Sequence, residues 1–132
     1  MSSVRSELIK LAKAVSKNAY APYSNFAVGC ALQSGKGEFY TGTNVENLSF
    51  GLTICAERAA ILKAISEEGS AFRIKEIVVY TSTESPITPC GACLQVLQEF
   101  GSNFNIFSIC NGKDQLNHTI EELFPRPPDI LL

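Results

Sequence analysis

Apolar residues at the start of the chain recur at helical spacing. Val4, Leu8, Leu11 and Val15 fall on one face and predict an amphipathic first helix. Pro22 closes this region, because the residue before a proline avoids the helical well. The period then changes to two. Phe26, Val28, Cys30 and Leu32 alternate with smaller residues and predict a strand. Ser34-Gly35-Lys36-Gly37 is a turn, and Glu38 to Val45 reads as the returning antiparallel strand.

A loop from Asn44 to Ile54 leads to a second helix, from about Cys55 to Glu68, with Gly69 as its stop. Ile74 to Thr81 holds Ile-Val-Val-Tyr and predicts a buried strand. Thr83 to Pro89 is a polar, proline-bearing connection. A third helix runs from near Cys90 to Gly101, and Asn105 to Cys110 is another strand. Asn111-Gly112 is a two-residue hairpin signal, so a short fifth strand at Gln115 to Asn117 is expected antiparallel to the fourth. Thr119-Ile120-Glu121-Glu122 has the capping-box pattern of a brief last helix, ended by Pro125, Pro127 and Pro128.

The order is α-β-β-α-β-α-β-β-α. Helices set between strands imply a layered α/β fold with a mixed sheet, and no repeat or linker divides the chain. One domain over residues 1–132 is expected. Of the 132 residues, 45% are hydrophobic and 18% charged, as in a globular chain rather than a disordered one. The formal net charge is −2, and the 11 Lys and Arg are scattered. No basic stripe is present to track a polynucleotide, so a small, near-neutral substrate is the expected partner. No apolar run is long enough to span a bilayer, and the N-terminus lacks the pattern of a signal peptide. Five unevenly spaced cysteines argue against a disulfide framework and for a reducing, cytoplasmic setting.

The chemistry gathers in two segments, Cys55-Ala56-Glu57 and Pro89-Cys90-Gly91-Ala92-Cys93. Cys90 and Cys93 are three apart at a helix start, so both sulfurs can point to one side. Cys55 opens another helix. Helix N-termini favour thiolate over thiol, and thiolate is the metal-binding form. Three soft thiolates suit Zn²⁺ and leave a fourth tetrahedral position for water, the mark of a catalytic site. They also leave a formal charge of about −1 on the centre. Arg58 is placed to donate to the sulfurs and offset it. Glu57 is no ligand; it is placed to take a proton from the attacking water and return it to a ring nitrogen and the leaving amine. A His or Cys, then x-Glu, then Pro-Cys-x-x-Cys is the known signature of zinc deaminases.

The chain resembles the short, homotetrameric zinc-dependent cytidine deaminase family over nearly its whole length. The resemblance rests on Tyr20-Ala-Pro-Tyr-Ser24, Phe26-Ala-Val-Gly29, Gly42-Thr-Asn-Val-Glu-Asn47, Cys55-Ala-Glu-Arg-Ala59 and Ser85-Pro-Ile-Thr-Pro-Cys-Gly-Ala-Cys93. It implies a three-layer cytidine-deaminase-like α/β fold, with a mixed five-stranded sheet and flanking helices. It implies hydrolysis of cytidine or deoxycytidine to uridine or deoxyuridine in pyrimidine salvage, and a homotetramer in which neighbours complete each site. Phe26 would pack on the pyrimidine, and Asn44 and Glu46 would bind the ribose hydroxyls. The backbone around Ala56 and the carbonyl of Thr88 would read the base edge and the exocyclic amine. Two features depart from the family. Leu94 stands where an arginine is common, and Phe124-Pro125-Arg126-Pro127-Pro128 puts proline where an aromatic residue is expected to reach a neighbour's site. Phe50 and Phe124 are the aromatic residues available to replace it.

Plainer readings of the same residues exist. A Cys-x-x-Cys pair also builds structural zinc knuckles, with Cys30, Cys110 or His118 as a fourth ligand, and redox pairs. The first leaves Cys-Ala-Glu unexplained, and the second gives the third thiol no part. Taken singly, Glu57 is a solvated first-turn residue, Arg58 a surface ion-pair partner, and Asn44 and Glu46 are turn residues. Phe26 by itself reads as core, Cys30 and Cys110 as small buried strand residues, and His118 as a surface residue. A zinc-stabilised binding module without activity therefore stands beside the nucleoside deaminase. A deaminase of modified cytosine compounds such as blasticidin S is a further alternative, against which Asn-Val-Glu-Asn argues.

Overall fold

The computed structural model describes residues 3–128. Helix α1 is Ser3–Ser16. A hairpin follows, β1 (Val28–Ser34) and β2 (Phe39–Thr43), then α2 (Ala56–Glu68), β3 (Ile74–Thr81), α3 (Gly91–Leu97), β4 (Asn105–Ile109), β5 (Leu116–Thr119) and α4 (Ile120–Leu123). The five strands form one sheet in the order β2-β1-β3-β4-β5. Pairing is antiparallel except between β3 and β4, whose parallel register sets Ile77 against Ile106 and Val78 against Phe107. A parallel pair needs a crossover, and α3 supplies it.

Two apolar layers sandwich the sheet. On one face Cys30, Leu32, Ile77, Val79 and Ile106 pack with Ala56, Ala60, Ile61 and Ala64 of α2 and Leu97 of α3. On the other, Ala31, Val78, Phe107 and Ile109 pack with Leu8 and Ala12 of α1. The alternation along each strand decides which layer a side chain joins. β1 is covered on both sides, so every residue from Gly29 to Ser34 is buried. Arg5 of α1 reaches Glu76 of β3 at 2.5 Å and lies 4.6 Å from the centre of the Phe107 ring, tying the helix to the sheet.

Several local expectations are adjusted. The fully buried line of α1 is Leu8, Ala12 and Ser16, with Val4, Leu11 and Val15 half-buried beside it. The small Ala12 and Ser16 let the helix lie close to the sheet beside the buried Leu8. α3 is shorter than its apolar pattern, and its last turn, Gln98–Phe100, tightens to a 3₁₀ helix. The capping box at Thr119 forms, with Glu122 N donating to Thr119 Oγ1 at 3.2 Å and Thr119 N to Glu122 Oε1 at 2.8 Å.

The Asn111-Gly112 expectation is corrected. β4 ends at Ile109 and β5 begins at Leu116, with Ser108 opposite Leu116, so the connection is longer than two residues. A type I′ turn needs positive φ at both central residues; among the described residues positive φ occurs at Asn25, Gly37, Gly69 and Gly101, not at Asn111 or Gly112. The reason is tertiary. Asn111 N donates to Thr83 O at 2.8 Å, so the segment docks on a neighbouring loop instead of closing on itself.

Candidate active site

Cys55 and Cys90 occupy equivalent places. Each is the N-cap of its helix, with φ −77°, ψ 157° before α2 and φ −70°, ψ 168° before α3, and neither side chain caps its own helix. Cys93 lies in the first turn of α3. The three sulfurs lie within 4.8 Å of one another, although Cys55 is half-buried, Cys90 exposed and Cys93 buried. A tetrahedral Zn²⁺ with Zn–S bonds of about 2.3 Å would set its sulfurs about 3.8 Å apart, so this cluster fits the ion. Cys30, Cys110 and His118 are outside it; Cys110 Sγ instead lies 3.4 and 3.5 Å from Glu84 O and Asp114 O, with one S–H to share between them.

Gly42 of β2 makes room for this end of α2. A Cβ there would stand 2.5 Å from Ala60 N and 2.6 Å from Ala56 O, closer than atoms allow. The missing side chain lets the first turn, with Ala56 and Glu57, press onto the sheet.

The Cys55 sulfur is poised for a cation. The thiol of Cys55 is pushed down to about 5: Cys93 donates to its sulfur, and Arg58 adds a hydrogen bond and a charge, which together outweigh burial. Cys93 moves the other way, because it keeps the proton that it shares with Cys55 and is itself desolvated. Arg58 Nη2 lies 3.2 Å from Cys55 Sγ, as its place in the sequence suggests, while its Nε is enclosed without a partner. Glu57 is 5% exposed. Burial pushes its carboxyl up to about 7, and the Cys55 thiolate adds to the rise.

A cavity of about 340 Å³ opens above these groups. Phe26, Asn44, Glu46, Ala56, Glu57 and Thr88 line it together with Cys55 and Cys90. Asn44 is buried; its Nδ2 donates to Phe26 O at 2.7 Å and its Oδ1 accepts from Val28 N at 3.0 Å. One N–H and one lone pair remain. Glu46 accepts from Ser24 Oγ, from Ser24 N at 3.1 Å and from Tyr23 N at 3.0 Å, bonds that in that order hold its carboxyl below the usual range. Both residues clamp the segment that presents Phe26 while keeping some capacity for a ligand.

Sequence reasoning passed over Ser24, Thr53, Thr81 and Ile87, which also line the cavity. Ser24 lies in Tyr20-Ala-Pro-Tyr-Ser24 and was within reach of that motif. Thr81 ends a strand read only as buried, and nothing in its pattern marked it. Phe124 lines a different cavity, with Pro125 and Pro127, and Phe50 sits 74% exposed with its ring 6.2 Å from that of Tyr23.

Residues 2–109 match the family described as the cytidine and deoxycytidylate deaminase zinc-binding region. The cytidine deaminase of Halalkalibacterium halodurans is 47% identical over 122 residues, which is 92% of this chain and 91% of that protein. The cytidine deaminase of Sporosarcina psychrophila is 40% identical over 120 residues, 90% of this chain and 87% of that protein. The 1.6 Å crystal structure of the cytidine deaminase from Burkholderia pseudomallei matches with a TM-score of 0.86 at 39% identity, over 96% of this chain and 99% of that one. Similarity of this depth, continuous through both cysteine segments, means that the chain belongs to the zinc-binding cytidine and deoxycytidylate deaminase family.

Proposed function

We propose that this chain hydrolyses cytidine and deoxycytidine to uridine and deoxyuridine, with Cys55, Cys90 and Cys93 holding the zinc ion and Glu57 moving the protons. One observation carries the reading: three sulfurs from two helix starts cluster within 4.8 Å of one another, and two of them, on Cys55 and Cys90, share the wall of one cavity with the buried carboxyl of Glu57. When bound, zinc supplies Lewis-acid activation of water at neutral pH. Glu57 does the rest of the acid–base work. A carboxyl near neutrality takes one proton from the attacking water and gives it to the ring nitrogen next to C4, where the product keeps it; it then takes the second proton from the new C4 hydroxyl and gives it to the departing amine. Water gives its oxygen to C4, the C4–N bond breaks, and ammonia leaves.

Arg58 steadies the sulfur charge. Phe26 packs on the base, Ala56 and Thr88 read its edge, and the free N–H of Asn44 and lone pair of Glu46 take ribose hydroxyls. The cavity walls carry two carboxyls and neither Lys nor Arg. That charge favours a nucleoside over a phosphorylated nucleotide.

The enzyme serves pyrimidine salvage in the cytoplasm as a homotetramer. Leu48, Phe50 and Leu52 support the assembly: they are 77%, 74% and 65% exposed, close in sequence to Thr53 of the cavity wall. Apolar patches of this kind mark association surfaces. Among the described residues no helix is long and apolar enough to cross a membrane.

The test is the fall in ultraviolet absorbance as cytidine becomes uridine, with and without a zinc chelator. Turnover is expected to stop on chelation and return with added Zn²⁺. Turnover that survives removal of all metal would reject the reading. Sedimentation tests the assembly, and a fully active monomer would contradict it.

A further inference from the structure

The connection between β4 and β5 touches the loop that carries a zinc ligand, and the chemistry above makes no use of it. Residues 82–89 run from the end of β3 to Cys90 at the start of α3. Ser82, Glu84 and Ser85 are exposed, so the sheet does not hold this stretch by burial. Its ends are fixed, by Ser82 N and Oγ donating to Ala27 O at 3.2 Å and by the burial of Pro89, and between them residues 110–112 hold it. Asn111 N donates to Thr83 O at 2.8 Å, and Cys110 Sγ lies 3.4 Å from Glu84 O. Gly112 comes so close that a Cβ there would stand 2.1 Å from Glu84 O and 3.1 Å from its carbonyl carbon. The Tyr80 hydroxyl donates to Asn111 Oδ1 and anchors the contact to β3. On the inner side Thr83 Oγ1 donates to Ser85 O at 2.7 Å and lies 2.8 Å from Oγ1 of Thr81, a buried residue of the cavity wall.

We propose that Gly112 is a positioning residue for the deaminase site. Its bare Cα against the Glu84 carbonyl sets where Ile87, Thr88 and Cys90 stand on the cavity wall. The argument is steric. A flexible side chain can swing away from an intruding methyl, but a backbone carbonyl cannot. The oxygen must retreat by about 1 Å to reach ordinary contact. Asn111 and Cys110 tie Thr83 and Glu84 to the same segment, so the retreat is passed along the loop. Pro86 and Pro89 have fixed φ and stiffen the stretch that receives it. This rests on the deaminase reading, because the wall that moves is the one assigned to the base.

The test compares zinc-loaded Gly112→Ala with the wild type and with Gly35→Ala, where a Cβ would meet nothing nearer than Arg73 O at 3.9 Å. Gly112→Ala is expected to lower kcat/KM for cytidine by up to about 100-fold, the scale of a misplacement of about 1 Å, with more of the loss in KM than in kcat. The thiolate-to-metal band of its cobalt-substituted form is expected to shift. Gly35→Ala should match the wild type in both. A change in either readout supports the proposal. KM and cobalt band both equal to the wild type would overturn it, even with a lowered Tm. If Gly112→Ala does not fold, Tyr80→Phe decides: it removes the hydroxyl that anchors Asn111, and with it Gly112, to β3 without adding bulk. A raised KM supports the brace, and an unchanged KM overturns it. Absence of cytidine turnover in the wild type would sink the deaminase reading alone, since the cobalt band still reports on the brace.

Discussion

The two helix starts that bring sulfur to the site use the same local device and are held in different ways. Cys55 and Cys90 are both N-caps with extended backbone. Beyond that they part. After Cys55, Ala56 and Glu57 are buried, the turn presses on Gly42, and Arg58 bonds the sulfur. After Cys90, Gly91 and Ala92 are exposed, and in that first turn only Cys93 turns inward. One end belongs to the core; the other hangs on a braced loop. Damage to the first should therefore appear in chemistry and stability, and damage to the second in substrate affinity.

The sharpest way to break this contrast is Glu57→Gln. It keeps size and burial and removes the titrating group, so kcat should fall about 10²–10⁴-fold with zinc content unchanged. Near wild-type kcat in single-turnover assays would remove Glu57 from the proton path. Arg58→Gln comes next. Losing the guanidinium on Cys55 should cost about 10–100-fold in zinc affinity or activity, read by chelator competition. If zinc is held as tightly as before, Arg58 does not offset the sulfur charge. Gly42→Ala forces a methyl against the α2 backbone and should destabilise the fold by about 1–3 kcal/mol, seen as a lower urea midpoint. An unchanged midpoint would mean that α2 is not held by this close approach.

The smallest effect belongs far from both ends, at the capping box of α4. Glu122 is held below the usual carboxyl range, first by Thr119 N–H and then by the Thr119 hydroxyl. A lowered folded-state pKa adds stability above the unfolded value, and that stability is lost as pH falls through the folded value. Glu122→Gln should thus differ slightly from wild type near neutrality and converge with it in acid. A gap that widens in acid would reverse the sign.

Local patterns carried a good deal of this protein. The element order, the Gly69 stop, the Thr119 capping box and the two cysteine segments are all written in runs of a few neighbouring residues. Backbone preference and side-chain chemistry act over that range, so sequence alone settles them. What sequence could not settle lies between segments. The Asn-Gly dipeptide has intrinsic hairpin preference, yet it docks on Thr83 and Glu84. The buried line of α1 shifts onto Ala12 and Ser16 because the sheet demands close approach. Thr81 reaches the cavity only because β1 and β3 are neighbours. Distances between residues remote in the chain depend on how layers stack, and no local preference encodes them. Sequence determined which groups are present at each helix start; only the folded sheet decided that three sulfurs would meet and that two of them would share a cavity wall with a carboxyl.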